Sequence, residues 1–132
     1  MTQEPLILIV DDALFVRKML MAILQESGLT RFVEGTNGEE AVDLYKLHHP
    51  DLTLLDISMS GMNGLEALQA IMQEDPAARV IMCSAVGKSS SVMGAIAAGA
   101  ADFVMKPFNR EKLMAAIQQV LGLTPDANGE AQ

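Results

Sequence analysis

The sequence predicts an α/β fold in which a parallel sheet of five strands carries helices on both faces. Two observations lead to this prediction. Short apolar runs alternate with longer stretches whose apolar residues recur at helical spacing, and the alternation extends over most of the 132 residues. Because consecutive parallel strands need a crossover connection, repeated strand–helix units imply right-handed crossovers and a doubly wound sheet.

The length and composition favour one domain that binds neither a membrane nor a nucleic acid. Half of the residues are hydrophobic, which suffices for one core of ordinary size. A net charge of -8 and an isoelectric point of about 4.5 suit a small cation better than a phosphate backbone. No charged signal segment precedes the first apolar run, and no run approaches the roughly 18 residues that span a bilayer. We therefore expect a cytoplasmic protein.

Five short runs are predicted to be strands, since most are apolar and too short for most helices, and the second is the weakest of them. The run that ends on the carboxylate of Asp56 is apolar at almost every position, which is typical of a strand buried on both faces. The single cysteine, Cys83, lies in another run and is predicted to be a buried, reduced thiol. The predicted strands are Leu6–Val10, Arg31–Gly35, Leu52–Asp56, Arg79–Ser84 and Asp102–Met105.

Polar capping residues and glycines predict the limits of the helices. Asn37 and Asn63 each stand three residues before a glutamate, so Glu40 and Glu66 occupy the positions that complete a capping box. The other signals are Ser89–Ser91 and Asn109 at helix starts, and Gly28 and Gly99 at helix ends. The inner face of the second helix is predicted to be Ala41, Leu44, Tyr45 and His48. Adjacent histidines on a helix point about 100° apart, so we expect no metal site at His48 and His49.

The residues that end the predicted strands are polar. Asp11 and Asp12 follow the first strand, Asp56 ends the third, Ser84 ends the fourth and Lys106 follows the fifth. Because the carboxyl ends of parallel strands lie along one edge of a sheet, we expect these side chains to meet there. Three carboxylates placed together repel one another unless a cation sits among them, and Mg²⁺ prefers oxygen ligands of this kind.

A site of this composition can stabilise a carboxylate that becomes more negative. Asp56 is the predicted phosphoryl acceptor, since a carboxylate is already a nucleophile at pH 7 and needs no general base. Lys106 and the metal neutralise the added charge, and the Ser84 hydroxyl can donate a hydrogen bond to it. Each residue alone has an ordinary structural explanation, such as Asp12 capping a helix. Their coincidence at the strand ends of one sheet favours a functional site.

Five segments carry a resemblance to a known family: Val10-Asp11-Asp12, Leu55-Asp56-Ile57, Gly61–Glu66, Cys83-Ser84-Ala85 and Ala101–Phe108. Taken in this order, they resemble the receiver domain of two-component response regulators over about residues 5 to 121. Within that family the chain is most similar to stand-alone chemotaxis regulators. The resemblance implies a flavodoxin-like sheet with the strand order 2-1-3-4-5.

The resemblance implies that Asp56 accepts a phosphoryl group from a histidine kinase. It implies that Asp12 and Asp56 hold Mg²⁺, with Asp11 acting largely through water and the main-chain carbonyl of Ser58 completing the metal ligands. Mg²⁺ is therefore the expected cofactor.

The resemblance also implies how the phosphoryl group acts. Ser84 and Lys106 contact its oxygens, and the Lys106–Pro107 bond is cis. Ser84 moves toward the phosphoryl group, and the aromatic switch Phe103 fills the space that opens. The face formed by helix 4, strand 5 and helix 5 then changes its binding properties.

The expected partners are proteins. A chemotaxis-type histidine kinase is the expected phosphoryl donor, and a flagellar motor switch is the leading output partner. A kinase scaffold, a phosphorelay partner and a phosphate sink are the alternatives. The protein is expected to act in signalling rather than as a conventional enzyme, with self-phosphorylation and autodephosphorylation as its own chemistry.

Three further expectations concern the loops and the ends of the domain. Ser58 and Val86 hold positions that tune the lifetime of the acyl phosphate in the family, and neither carries a carboxylate or an amide, so dependence on a separate phosphatase stays open. Ser60 replaces a proline common in the family, so its loop is expected to be more mobile. Residues 1–121 are expected to form the receiver domain, and residues 122–132 a frayed tail without an output domain.

Two other classes of protein share parts of this pattern. An aspartate-nucleophile phosphohydrolase also uses an α/β sheet and Mg²⁺, but it requires Asp-x-Asp, and here the third position is Ser58. A flavodoxin-like cofactor binder wraps its phosphate in a neutral loop after strand 1, where Asp11 and Asp12 would repel it. Both classes fit the sequence less well than a receiver domain.

Overall fold

Strands and helices alternate along the chain in the computed structural model, which describes residues 4–59, 61–84 and 89–122. The strands are β1 (Leu6–Val10), β2 (Arg31–Gly35), β3 (Leu52–Asp56), β4 (Val80–Ser84) and β5 (Asp102–Met105). The helices are α1 (Leu14–Glu26), α2 (Gly38–His48), α3 (Gly64–Glu74), α4 (Ser89–Ala97) and α5 (Arg110–Leu121). The predicted order is confirmed, although β4 begins at Val80 rather than Arg79. Arg79 is exposed, and its carbonyl accepts the Thr53 N–H at 2.9 Å.

The five strands form one parallel sheet in the order β2-β1-β3-β4-β5, which confirms the predicted fold class. The register brings the strand ends together: Asp56 pairs with Cys83, and Ser84 pairs with Met105. The ladder continues one step further, because the Lys106 N–H donates to the Ser84 carbonyl at 2.7 Å. The predicted site residues therefore lie along the carboxyl edge of the sheet.

Alternation along the central strands builds a core on each face of the sheet. On β1, Ile7 and Ile9 point toward α1 and α5, whereas Leu8 and Val10 point toward α2 and α3. Each fully buried leucine or isoleucine contributes about 1.5–3 kcal/mol to the free energy of folding. Cys83 is buried and free, as predicted, and burial raises the pKa of its thiol to about 12.

The capping predictions are confirmed for α3 and α5. Asn63 and Glu66 form a complete capping box, and Asn109 accepts the Lys112 N–H at 3.0 Å. For α2 the box is only half formed. Asn37 accepts the Glu40 N–H, but the Glu40 carboxylate turns to the N–H and hydroxyl of Thr36 at 2.7 and 2.8 Å. Thr36 offers two donors where the Asn37 backbone offers one.

The last turn of α2 corrects a second prediction. Ala41 and Tyr45 are buried and Leu44 is half-buried, but His48 is exposed and does not belong to the inner face. His48 is the last residue of the helix, and His49 adopts a left-handed conformation with φ of 47°, so His48 lies in the terminal turn of α2.

Within the described ranges, no helix combines the length and the apolar character that crossing a membrane requires.

Candidate functional site

Three carboxylates meet at the carboxyl edge of the sheet. Asp11 and Asp12 follow β1, and Asp56 is the last residue of β3. One oxygen from each carboxylate lies within 4.8 Å of the other two. Asp11 and Asp56 are only 2% and 4% exposed, whereas Asp12 faces solvent. The structure thus brings together the three acidic residues that the sequence placed at one edge.

Lys106 spans the two buried carboxylates from the end of β5. Its Nζ donates to Asp11 Oδ2 at 2.8 Å and lies 3.3 Å from Asp56 Oδ1. The following peptide bond, to Pro107, is cis, the isomer that the resemblance implies. One lysine therefore contacts two of the three carboxylates, and the cluster keeps an excess of negative charge.

Burial and mutual repulsion shift the pKa values in this cluster. Burial raises the pKa of Asp56 above its ordinary value, and the negative charge of Asp11 raises it further. Lys106 and the N–H of Ser58 act in the opposite direction but do not cancel these effects. Burial disfavours the charged form of Lys106, yet its hydrogen bond to Asp11 and the charge of Asp56 leave its pKa raised. A second cation would relieve the cost of keeping Asp56 ionised.

The donor set fits Mg²⁺. Carboxylate oxygens are hard ligands, and three of them lie close enough to share one ion. Two of the three are buried, so their charges are poorly hydrated without a cation. Asp11, Asp12 and Asp56 are therefore the side chains that could hold the metal.

Ser84 and Phe103 occupy one face of the sheet on neighbouring strands. Ser84 ends β4 and is 4% exposed. Phe103 pairs with Met82, two residues before Ser84, and is half-buried against the core on the α2 and α3 side. The side chains of Ser84 and Phe103 therefore lie on the same face of the sheet, on two paired strands. Val86 and Ser60, for which the sequence predicted tuning and loop effects, lie outside the described residues.

Gly64 is a residue whose role the sequence did not reveal. Its N–H donates to the Ile57 carbonyl at 2.8 Å, which packs the start of α3 against the end of β3. A Cβ at this position would lie 2.1 Å from the Asp56 carbonyl oxygen and 2.6 Å from the Ile57 Cα. Only glycine permits this approach, which holds the main chain at Asp56.

Arg17 is a second residue whose role the sequence did not reveal. It lies on α1 and is 9% exposed, and its guanidinium contacts the main chain of Asp11. The available signal was its position three residues before Leu20 and seven before Leu24, which places a charge on the buried face of the helix.

The comparisons with known proteins agree with this geometry. The family model described as "Response regulator receiver domain" matches residues 7–118. This chain belongs to the response regulator receiver domain family. The receiver domain is 50% identical to the chemotaxis protein CheY of Bacillus subtilis (strain 168) over 115 residues, which cover 87% of this chain and 96% of that protein. It is 46% identical to CheY of Thermotoga maritima over 114 residues, or 86% and 95% of the two chains.

Solved structures show the same similarity. A crystal structure of a CheX-CheY-BeF3-Mg complex from Borrelia burgdorferi matches the receiver domain with a TM-score of 0.81 and 40% identity, covering 86% of this chain and 87% of the other. The receiver domain of NarL from Mycobacterium tuberculosis matches with a TM-score of 0.85 and 30% identity, covering 92% and 98%.

Proposed function

We propose that this receiver domain accepts a phosphoryl group on Asp56 and passes the signal on by phosphorylation-dependent protein binding. The observation that carries the proposal is the position of Asp56, buried at the carboxyl edge beside Asp11 and Asp12 and paired with Lys106. A buried carboxylate with a raised pKa and one lysine partner lowers the free energy of unfolding, so stability does not explain its presence. Such a cost is typical of a functional site.

The proposed reaction transfers a phosphoryl group from a nitrogen or oxygen atom of the donor to a carboxylate oxygen of Asp56. An Asp56 carboxylate oxygen attacks the phosphorus of the donor, an Asp56 O–P bond forms, and the bond to the leaving imidazole or acetate breaks. Lys106 lies within reach of the reacting carboxylate and can hold the negative charge of the phosphoryl oxygens. We assign the Ser84 hydroxyl a donor role toward the same oxygens. When bound, Mg²⁺ supplies further positive charge at those oxygens.

Asp11, Asp12, Asp56 and the main-chain carbonyl of Ser58 are the groups that we propose hold Mg²⁺. Asp11 is already engaged by Lys106 and by the Ala13 N–H at 2.9 Å, which agrees with a role through water rather than direct ligation. Asp12 is exposed, and Asp56 lies farther from Lys106 Nζ than Asp11 does, at 3.3 Å against 2.8 Å, so we propose that these two ligate the metal directly.

The phosphoryl group can drive a conformational change of modest size. Two new charge-assisted contacts, from Lys106 and Ser84, contribute roughly 1.5–3 kcal/mol each. Inverting an equilibrium of 1:99 requires about 5.5 kcal/mol, so the two contacts approach what a switch needs. We propose that Ser84 moves toward the phosphoryl group and that Phe103 fills the space left behind.

The output surface is proposed to be the face of α4, β5 and α5. Met93 and Ile96 on α4 and Met105 on β5 are exposed by 69%, 60% and 47%. Exposed methionines make an adaptable apolar surface of the kind that docks partner segments.

The many CheY relatives favour a chemotaxis-type histidine kinase as donor and a flagellar motor switch as output partner. The CheY of Borrelia burgdorferi forms a complex with a further protein, CheX, and a separate phosphatase is our proposed third partner of this chain.

The experiment that tests the acceptor is incubation with acetyl phosphate and Mg²⁺, followed by intact mass measurement. The wild type is expected to gain the mass of one phosphoryl group, and Asp56→Asn is expected to gain none. Asp43→Asn is the matched control, because Asp43 is an exposed aspartate on α2. An adduct of equal yield in Asp56→Asn would reject Asp56 as the acceptor.

A further inference from the structure

Arg17 joins three elements at the edge of the site. Its Nη1 donates to the Asp11 carbonyl at 2.7 Å, and its Nε donates to Glu34 Oε1 at 2.9 Å. The Arg17 side chain is 11% exposed and that of Glu34 is 35% exposed. A guanidinium buried to this extent needs a charged partner, and Glu34 on β2 supplies it.

The main chain of Asp11 is held on both sides by the end of β2. The Asp11 N–H donates to the Gly35 carbonyl at 3.2 Å. The Asp11 carbonyl accepts from Arg17, which Glu34 orients. Two consecutive residues of β2 thus fix the Asp11 peptide groups, one directly and one through the arginine.

We propose that Arg17 is a positioning residue for the metal site, acting through the main chain of Asp11. The peptide unit that Arg17 holds joins Asp11 to Asp12, so its rotation would turn both carboxylates relative to Asp56. The two bonds made by Arg17 limit that rotation and keep the three acidic side chains within a few ångströms of one another. Groups that orient metal ligands typically change metal affinity 10- to 100-fold when they are removed.

The direction in which Mg²⁺ affinity changes when Arg17 is removed distinguishes a positioning role from a purely electrostatic one. The inference rests on the proposed function, because it assumes that the carboxylates hold Mg²⁺. If Arg17 acted only as a nearby positive charge, its removal would strengthen cation binding. If it only stabilised the fold, its removal would lower the free energy of unfolding without changing the affinity for Mg²⁺. Positioning predicts weaker binding by a domain that remains folded.

The test is calorimetric titration of Mg²⁺ into wild type, Arg17→Gln and Arg17→Lys, with no phosphoryl donor present. Circular dichroism and urea unfolding in EDTA report whether each variant is folded. Arg17→Gln is expected to bind Mg²⁺ about tenfold more weakly than wild type. Arg17→Lys keeps one donor for the Asp11 carbonyl and is expected to fall between the two. The control is Arg110→Gln, which removes an exposed arginine paired with Glu26 and is expected to match the wild type.

Wild-type or tighter binding by folded Arg17→Gln would overturn the positioning role while leaving the proposed function intact. Should Arg17→Gln fail to fold, Arg17→Lys carries the test, and wild-type affinity there overturns the role. Failure of the wild type itself to bind Mg²⁺ would overturn both the inference and the metal site of the proposed function.

Discussion

Asp56 carries its charge where water hardly reaches it, 4% exposed and beside the charge of Asp11. Burial raises its pKa, so the folded state holds the Asp56 proton to a higher pH than the unfolded chain does. Stability contributed by protonated Asp56 is therefore present at low pH and is lost as the pH rises through the folded pKa. Near neutral pH, ionised Asp56 lowers the free energy of unfolding of the metal-free protein.

We accordingly expect Asp56→Asn to be more stable than wild type at pH 7 in EDTA. The difference should shrink as the pH falls through the folded pKa of Asp56, because the wild-type carboxyl then becomes neutral as well. Urea unfolding between pH 4 and pH 8 measures it. A variant less stable than wild type at pH 7, or a gain that does not depend on pH, would contradict the assigned cause.

Thr53 is a second residue at which polarity and burial conflict. Its side chain is fully buried on β3, and within the described part of the chain its hydroxyl makes no hydrogen bond. Thr53→Val keeps the shape and removes the buried hydroxyl, so the free energy of unfolding should rise by about 1–2 kcal/mol. Thr36→Val is the control and should lose stability, since the Thr36 hydroxyl donates to Glu40 at 2.8 Å. Chemical denaturation distinguishes the two, and a loss at Thr53 would show that its hydroxyl is satisfied.

The start of α3 supports the end of β3, where the acceptor Asp56 lies. Gly64→Ala would place a Cβ against main-chain atoms of Asp56 and Ile57, which cannot yield as a flexible side chain would. We expect a loss of about 3 kcal/mol in stability together with slower phosphorylation by acetyl phosphate. Gly94→Ala is the control: its nearest neighbour would be Leu65 Cδ1 at 3.8 Å, and alanine in a helix should stabilise by roughly 0.5–1 kcal/mol. An unchanged phosphorylation rate in Gly64→Ala would contradict the role of Gly64 in holding the main chain at Asp56.

Phe103 is the proposed link between the acceptor site and the distant output face of the molecule. Phe103→Ala should still be phosphorylated, because no atom of Phe103 belongs to the acid cluster. It should lose most of the phosphorylation-dependent change in amide hydrogen exchange within α4 and β5. Phe32→Ala, which truncates a half-buried phenylalanine on the opposite edge strand, should keep the change. A wild-type change in amide hydrogen exchange on phosphorylation of Phe103→Ala would contradict Phe103 as the link.

Most of the fold and the acidic cluster could be predicted from the sequence, because both follow from local patterns. Apolar runs such as Leu52–Asp56 mark buried strands, and parallel strands bring Asp11, Asp56 and Lys106 to one edge whatever the details of packing. The strand order came from the family resemblance, since alternation of strands and helices alone permits several orders.

The parts that escaped prediction depend on contacts between distant segments. Arg17 was missed because an arginine on a helix is usually solvated, whereas here it is buried and bonded to Glu34 and to the Asp11 carbonyl, both distant from α1's own pattern. Gly64 was missed because its close approach to Asp56 exists only in the assembled fold. The Glu40 carboxylate accepts from the N–H and hydroxyl of Thr36 instead of the Asn37 N–H. The spacing of Asn37 and Glu40 in the sequence does not distinguish these donors.

Chemical trapping of the phosphorylated residue tests directly whether Asp56 is the phosphoryl acceptor. After reaction with acetyl phosphate and Mg²⁺, borohydride reduces an aspartyl phosphate to homoserine, and peptide mapping by mass spectrometry locates it. We predict homoserine at position 56 and aspartate retained at positions 11 and 12. Homoserine at Asp11 or Asp12, or none in a protein that has gained phosphate, would contradict it.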